Sequence, residues 1–157
     1  MEQVKSLAGG APKHQLAHAR QQEAVVSILR TANYLRTFCS PIFDLHNITP
    51  QQYNVLRILR GAGLEGLPTL EIAERMIEHA PGITRLLDRL EAKKLVRRER
   101  PSGNRRQVLC YVTKTGLDLV RELDGPMQEQ AVEALRSLKK SEIDELIRLL
   151  ERARNEH

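Results

Sequence analysis

Aromatic residues and cysteines are scarce in this 157-residue sequence. It has no tryptophan, three tyrosines and two phenylalanines, so its core must consist mainly of Leu, Ile, Val and Ala, which favours helices. Its two cysteines, Cys39 and Cys110, provide neither a disulfide framework nor metal-site spacing. No apolar run approaches the roughly 20 residues of a membrane span, and the first residues, MEQVKSLAGGAPKHQ, lack the apolar segment of a secretory signal. We therefore expect a cytoplasmic protein without metal, cofactor or membrane contact.

Sequence patterns of catalytic sites are also missing. There is no nucleotide-binding loop, no cluster of metal ligands and no arrangement typical of a Ser/His/Asp or Cys/His site. His14 and His18 are four residues apart, a spacing that can bind zinc, but no third ligand lies near them in the sequence. Two exposed helix histidines are the simpler interpretation. We therefore expect no enzyme, although a fold by itself never excludes an activity.

Positive charge is concentrated in one short segment. The net charge is +1 over residues 1–84, +6 over residues 85–106 and −2 over residues 107–157. A basic stripe of this kind is typical of a surface that binds phosphate. A solvated basic face is the default alternative. The DNA interpretation is favoured because the charges fall on the segments that would have to bind DNA.

The first half of the chain predicts three helices. An apolar pattern at helical spacing runs from about His14 to Asp44. A second helix begins after Thr49, which can form a capping box with Gln52. After an extended or looped stretch at residues 66–68, Thr69 is predicted to cap a short helix. The side of that helix predicted to be buried consists of Leu70, Ile72, Ala73 and Met76.

The fourth predicted helix opens at Pro81 and has a single inward stripe, formed by Ile83, Leu86, Leu87 and Leu90. Arg85 then lies at the centre of the outward face, where it could reach a guanine edge with two hydrogen bonds. Thr84 could contact a phosphate or a thymine methyl group. The alternative for Arg85 is a surface arginine paired with Asp88 or with the neighbours of Arg89, an interaction that contributes little.

Two β-like runs follow, at residues 95–100 and 107–113, and can pair as a basic hairpin around residues 101–106. Cys110 alternates with apolar neighbours in the second run, so we expect a buried or half-buried structural thiol. Further helical patterns extend to the end of the chain, and Ser141 with Asp144 predicts a capping box for the last helix. The fold class is therefore mainly α with a small β-hairpin wing, the arrangement of a winged helix-turn-helix.

The order and spacing of these segments resemble the MarR family of bacterial transcription regulators over about residues 25–150. The segments that carry the resemblance are ITPQQYNVLRIL, TLEIAERM, ITRLLDRLEAKKLVRRER and RRQVLCYVTKTG. The resemblance implies a homodimeric repressor that binds a palindromic operator in double-stranded DNA. It also implies release by a small aromatic ligand or by cysteine oxidation.

The domain boundaries follow from the same resemblance. A flexible tail at residues 1–13 precedes a single domain at residues 14–157. Within that domain we expect a winged helix-turn-helix at residues 49–113, with dimerisation helices at residues 14–48 and 114–157.

Eight residues are the candidates for contact with DNA: Thr69, Pro81, Gly82, Thr84, Arg85, Arg89, Arg105 and Arg106. The chain departs from the family in two places. Asn104 replaces the aspartate that usually precedes the wing arginine, and the reading helix opens on Pro81 and Gly82 instead of small hydroxyl residues. These changes affect the expected operator sequence more than the family assignment.

The family resemblance also places an effector pocket between the dimerisation helices and the winged helix. Six residues are the candidates for lining it: Tyr34, Phe38, Cys39, Phe43, His46 and Tyr53. An apolar cleft with a few polar groups suits a small aromatic acid or a phenol, and core packing is the competing explanation. Cys39 adds a redox alternative if a cation such as Arg36 lowers its pKa. A winged helix used only for protein–protein assembly is the remaining alternative.

Overall fold

The computed structural model of the chain describes residues 13–78, 81–101 and 107–155. Of the predicted tail only Lys13 is described, and the predicted wing tip, with Arg105 and Arg106, lies outside the described residues. Within the described ranges no helix is both long and apolar enough to cross a membrane. The chain divides into two compact units, and the boundary falls between Thr37 and Phe38.

Helices account for most of the described chain. They are α1 (Lys13–Leu45), α2 (Pro50–Ala62), α3 (Thr69–Arg75), α4 (Ile83–Ala92), α5 (Lys114–Ala134) and α6 (Lys140–Asn155). A single 3₁₀ turn, Gly63–Glu65, follows α2. The strands are β1 (Leu67–Pro68), β2 (Val96–Glu99) and β3 (Leu109–Val112).

The three strands form an antiparallel sheet in the order β1-β3-β2. In β3, Cys110 lies opposite Leu67 of β1 on one side and Arg98 of β2 on the other. The predicted hairpin is confirmed, and the extended segment before α3 adds a third strand. Cys110 is completely buried, as predicted, in a strand that lies between β1 and β2.

The core of the second unit is centred on α2. Thr49 and Gln52 form the predicted capping box: Thr49 Oγ1 accepts from the Gln52 backbone at 3.2 Å, and Gln52 Oε1 accepts from the Thr49 backbone at 3.1 Å. One helix turn later, Val55, Leu56 and Leu59 are completely buried. The cap therefore fixes the start of the helix around which α4, α5 and the sheet are arranged.

The predicted starts of α3 and α6 are wrong. Pro68, not Thr69, occupies the N-cap position of α3, and Thr69 is the first helical residue. The register of the short helix leaves Leu70 76% exposed, against the prediction that it is buried. The last helix begins at Lys140, too early for Ser141 to cap it, and the Glu142 carboxylate instead accepts from the Lys139 backbone at 2.7 Å.

Candidate nucleic-acid interface

Helix α4 has one apolar face and one charged face. Leu87 and Leu90 are completely buried in the core. Thr84, Arg85 and Arg89 are exposed, as the helical pattern predicts. The charged face of α4 is therefore available to a large polyanion such as DNA.

The predicted start of α4 needs a correction. Pro81 lies in a turn, Gly82 occupies the N-cap position without a side-chain cap, and the helix begins at Ile83. The Gly82 carbonyl accepts the first intrahelical bond, from Leu86 N at 3.0 Å. Pro81 and Gly82 are both exposed beside the charged face, so they remain near the candidate DNA contacts.

Arg98 of β2 binds both acidic side chains of α4. Its Nη2 donates to Asp88 Oδ1 at 2.7 Å and to Glu91 Oε2 at 2.5 Å, and its Nε donates to Glu91 Oε2 at 3.0 Å. These bonds lower the pKa of the Glu91 carboxyl and raise the pKa of Arg98. Hydrogen bonds of this charge-assisted type are the strong ones. Asp88 therefore pairs with Arg98 and not with Arg85, the pairing considered in the alternative for Arg85.

The two arginines of α4 have no comparable partner in the described part of the chain. Among the residues that the structure describes, no carboxylate forms an ion pair with Arg85 or Arg89. A shallow groove of about 310 Å³ is lined by both arginines and by Thr49 and Gln51 at the start of α2. The acids of α4 are thus neutralised on the sheet side, while its cations have no carboxylate partner among the described residues.

The wing strands carry further cations. The Arg97 guanidinium lies 4.2 Å from the centroid of the Tyr111 ring and also pairs with Glu99. Arg100 is exposed at the end of β2. The basic segment thus continues from α4 along the hairpin, toward the predicted contacts Arg105 and Arg106 outside the described residues.

Thr69 is placed differently from the other candidates. It is half-buried at the start of α3, and its Oγ1 lies 3.9 Å from the Sγ of Cys110. This contact connects the helix to the central strand. Its proposed contact with DNA stays a prediction.

Two of the candidate effector residues are part of the core. Phe43 and Tyr53 are buried, and their ring centroids are 5.3 Å apart. His46 donates from Nδ1 to Ile42 O at 2.9 Å, and its Nε2 lies 3.2 Å from Glu122 Oε1. The bond to Ile42, followed by the bond to Glu122, raises the pKa of His46. The contact between the two rings is the core packing that the competing explanation describes.

The remaining effector candidates are less buried. Phe38 and Cys39 are half-buried, and Tyr34, in the first compact unit, is 50% exposed. Burial raises the pKa of the Cys39 thiol, which is opposite to the lowering that the redox alternative requires. Desolvation disfavours a thiolate, which is the reactive form. The pocket itself stays a prediction.

Two long-range contacts connect α5 to other elements of the second unit. Neither contact was predicted from the sequence. Arg60 Nη1 of α2 donates to Asp124 Oδ2 at 2.6 Å, and Glu122 accepts from His46. The Arg60 and Asp124 side chains are 64 positions apart. No local spacing could therefore have revealed either contact.

Comparisons with known proteins agree with this geometry. The sequence model described as the MarR family matches residues 48–108. The transcriptional regulator FarR of Neisseria gonorrhoeae is 30% identical over 105 residues, which are 67% of this chain and 70% of FarR. The crystal structure of a MarR transcription factor from Planctomyces limnophilus is 38% identical, covers 95% of this chain and 98% of its own, and superposes with a TM-score of 0.66.

A third similar protein adds a likeness of fold alone. BpsR of Bordetella bronchiseptica is 20% identical and superposes with a TM-score of 0.75 over 83% of this chain and 98% of its own. The DNA binding of BpsR is regulated by 6-hydroxynicotinic acid.

Proposed function

We propose, because the chain belongs to the MarR family of winged-helix, DNA-binding transcription regulators, that it represses transcription as a homodimer on a palindromic operator. The observation that carries the proposal is the charge arrangement on α4. Arg98 binds Asp88 and Glu91, while Arg85 and Arg89 remain exposed without a described carboxylate partner. DNA phosphates and guanine edges supply the acceptors that such arginines bind. Repression of genes in this way would take place in the cytoplasm.

Arg85 is the candidate for reading bases, and Arg106 is the candidate for contacting DNA from the wing. Sequencing the genomic fragments that the purified protein retains would identify the operator. On that operator, Arg85→Ala should cost about 1–3 kcal/mol and remove the preference at one position. Arg106→Ala should weaken binding uniformly if it binds phosphate, or remove an A·T preference if it enters a narrow minor groove.

Fluorescence anisotropy with operator duplexes at several salt concentrations measures both effects. Arg121→Ala is the matched control, since Arg121 is an exposed arginine of α5 that pairs with Asp118. Wild-type affinity of both Arg85→Ala and Arg106→Ala would contradict the assignment.

Homodimerisation is supported by apolar side chains that remain exposed in one chain. Val25 and Leu29 of α1 are 56% and 64% exposed, Val132 of α5 is 68% exposed and Ile147 of α6 is 50% exposed. A second chain that covers these side chains would remove their apolar surface from water. A second copy of the chain is the partner that a palindromic operator requires, because two-fold symmetry in the protein matches two-fold symmetry in the DNA.

A small aromatic ligand is the proposed signal for release from DNA. To shift the dimer to a form that does not bind DNA, the ligand must bind that form with several kcal/mol of preference. The redox alternative is weakened because burial raises the pKa of Cys39. Titration of the operator complex with aromatic acids, and separately with peroxide on wild type and Cys39→Ser, distinguishes the two. If peroxide releases the operator from wild type but not from Cys39→Ser, and no aromatic acid releases it, then oxidation would replace the ligand as the proposed signal.

A role in protein–protein assembly alone is the competing function. The net charge of +6 over residues 85–106 argues against it, since an assembly surface has no need of such an excess. A gel shift on duplex DNA that weakens steeply with salt would exclude it.

A further inference from the structure

The turn between α1 and α2 connects three helices of the second compact unit. His46 reaches α5 through Glu122, and the carbonyl of Asn47 accepts from Lys93 Nζ at the end of α4. The backbone of the turn is well defined. The Ile48 N–H donates back into α1 at 3.1 Å, and Asn47 has a φ of 51°, in the left-handed region that asparagine tolerates. A change at His46 therefore acts on a turn that already joins α1, α4 and α5.

Both ring nitrogens of His46 face groups that can only accept a hydrogen bond. Nδ1 lies 2.9 Å from the Ile42 carbonyl oxygen, and Nε2 lies 3.2 Å from Oε1 of the Glu122 carboxylate. A neutral imidazole carries a single N–H and can satisfy one of these acceptors, whereas the imidazolium donates to both. With a neutral ring, the lone pair of Nε2 would face the carboxylate. Because the Glu122 side chain is 68% exposed, it can then turn into solvent. The contact is therefore made by the charged ring and lost by the neutral one.

The surroundings of His46 favour the charged ring. The bond to the Ile42 carbonyl, followed by the bond to Glu122, raises the pKa of His46. Other charged side chains on the elements that meet at this turn have described partners of their own: Asp44, Arg57, Arg60, Lys93, Asp118, Arg121 and Asp124. Among the described residues, Glu122 is the only charged group that acts on the pKa of His46. Since the folded pKa is raised, the contact stabilises the fold fully below the unfolded pKa, and this contribution is lost as the pH rises through the folded pKa.

Glu122 lies at a weak point of α5. Pro126, inside this helix, has no N–H to donate to the carbonyl four residues before it, which is the carbonyl of Glu122. Before this point, Val120 and Leu123 are completely buried in the core. After it, Val132 is 68% exposed and belongs to the surface proposed for dimerisation. The contact with His46 thus holds α5 where its packed half ends.

We propose that His46 is a proton-dependent link that controls the joint in α5. When the ring is protonated, it binds Glu122 and fixes this joint; when the ring loses its proton, the joint and the turn that holds the end of α4 are released. A fixed joint keeps the two winged helices of a dimer at the spacing that a palindrome requires, so operator affinity falls as the pH rises. This consequence for DNA rests on the proposed function, whereas the link itself does not.

NMR titration of the full chain with isotope-labelled histidine measures the pKa of His46, and His46→Gln assigns the signal. We expect this pKa to lie above the ordinary histidine value. Glu122→Gln should lower it, because the neutral amide has no charge and can donate to the neutral ring. Glu129→Gln is the matched control, since Glu129 is an exposed glutamate of the same helix. The link is refuted if His46 titrates at or below the ordinary value, or if the two glutamate variants give the same pKa for His46.

Anisotropy with operator DNA tests the consequence for DNA binding. From about pH 5 to about pH 8, the affinity of wild type should fall about two- to fivefold more than that of Glu122→Gln, whose amide keeps the contact with the neutral ring. His18→Gln, which removes an exposed histidine of α1, should behave as wild type. Thermal unfolding of each variant establishes that it is folded.

The two measurements separate this inference from the proposed function. Equal pH dependence of operator binding in wild type and Glu122→Gln overturns the control of DNA binding by His46, even if its pKa is raised. Failure of the chain to bind any genomic fragment at any pH refutes the proposed function, and the NMR titration still decides whether the link exists.

Discussion

Gly116→Ala tests how closely α5 approaches the sheet. A Cβ at this position would lie 2.3 Å from the carbonyl oxygen of Leu95 and 2.8 Å from Cγ2 of Val112. The oxygen cannot move freely, because it accepts from the Thr113 backbone at 3.0 Å. Thr113 is itself fixed, since it caps α5 and its hydroxyl donates to Lys94 O at 2.7 Å. The added methyl group must therefore displace the start of α5 from the strands.

The expected cost is the balance of three effects. Alanine improves the helix propensity by about 1 kcal/mol relative to glycine. Overpacking a close backbone contact costs roughly 1–3 kcal/mol, and weakening the bond to Leu95 O costs about 1 kcal/mol more. We expect a net loss of about 2 kcal/mol in the free energy of unfolding, which for a chain of this size lowers Tm by roughly 4–8 °C.

Thermal and urea unfolding at one fixed protein concentration measure this loss, because the stability of a dimer depends on concentration. Gly61→Ala is the matched control: Gly61 is an exposed glycine in α2, and a Cβ there would meet nothing within 4 Å. That variant should be unchanged or more stable by up to about 1 kcal/mol. If Gly116→Ala were as stable as Gly61→Ala, the described contact between α5 and Leu95 would be refuted.

Three further changes test other parts of the molecule. Arg98→Ala should lower the stability at neutral pH and weaken operator binding, and Arg121→Ala should do neither; calorimetry and anisotropy measure the two effects. Because the pKa of Glu91 is lowered in the folded protein, its stabilising contribution should be present above its unfolded pKa and be lost as the pH falls through the folded pKa. Glu91→Gln should not show this loss of stability when it is unfolded by acid. If wild type and Glu91→Gln unfolded at the same pH, the stabilising role of Glu91 would be contradicted. Leu146→Asp combined with Ile147→Asp should give monomeric or insoluble chain without operator binding; light scattering that shows a folded wild-type monomer at micromolar concentration would count against dimerisation.

The helical part of the fold could largely be predicted from apolar spacing. The stripe Ile83, Leu86, Leu87 and Leu90 marks a helix that is buried on one side, and the structure confirms both the helix and the orientation. The capping box at Thr49 was predictable because both of its partners are local. At α3, capping propensity alone wrongly favoured Thr69 over its neighbour Pro68 as the N-cap. The register of this helix is set by packing against the sheet.

Contacts between distant segments could not be predicted in this way. Arg98 is partnered by Asp88 and Glu91, which lie on the preceding helix. Nothing in the spacing of these three residues distinguishes this pairing from a pairing of Asp88 with Arg85. The raised pKa of Cys39 could not be predicted from the sequence for a related reason. Its degree of burial depends on packing against the core and not on its sequence neighbours.

The charge of α4, the helix proposed to face DNA, depends on β2, the strand that follows it. Without Arg98, Asp88 and Glu91 would leave their carboxylates uncompensated on α4, beside the two arginines that are the candidates for binding DNA. Arg98 is held in place because it lies opposite Cys110, whose buried side chain fixes the register of the central strand. A one-residue slip of β2 would turn Arg98 to the other face of the sheet and release both acids. If α4 binds DNA as proposed, the hairpin contributes to that binding in two ways, through its own cations and through the positive charge that it leaves exposed on α4.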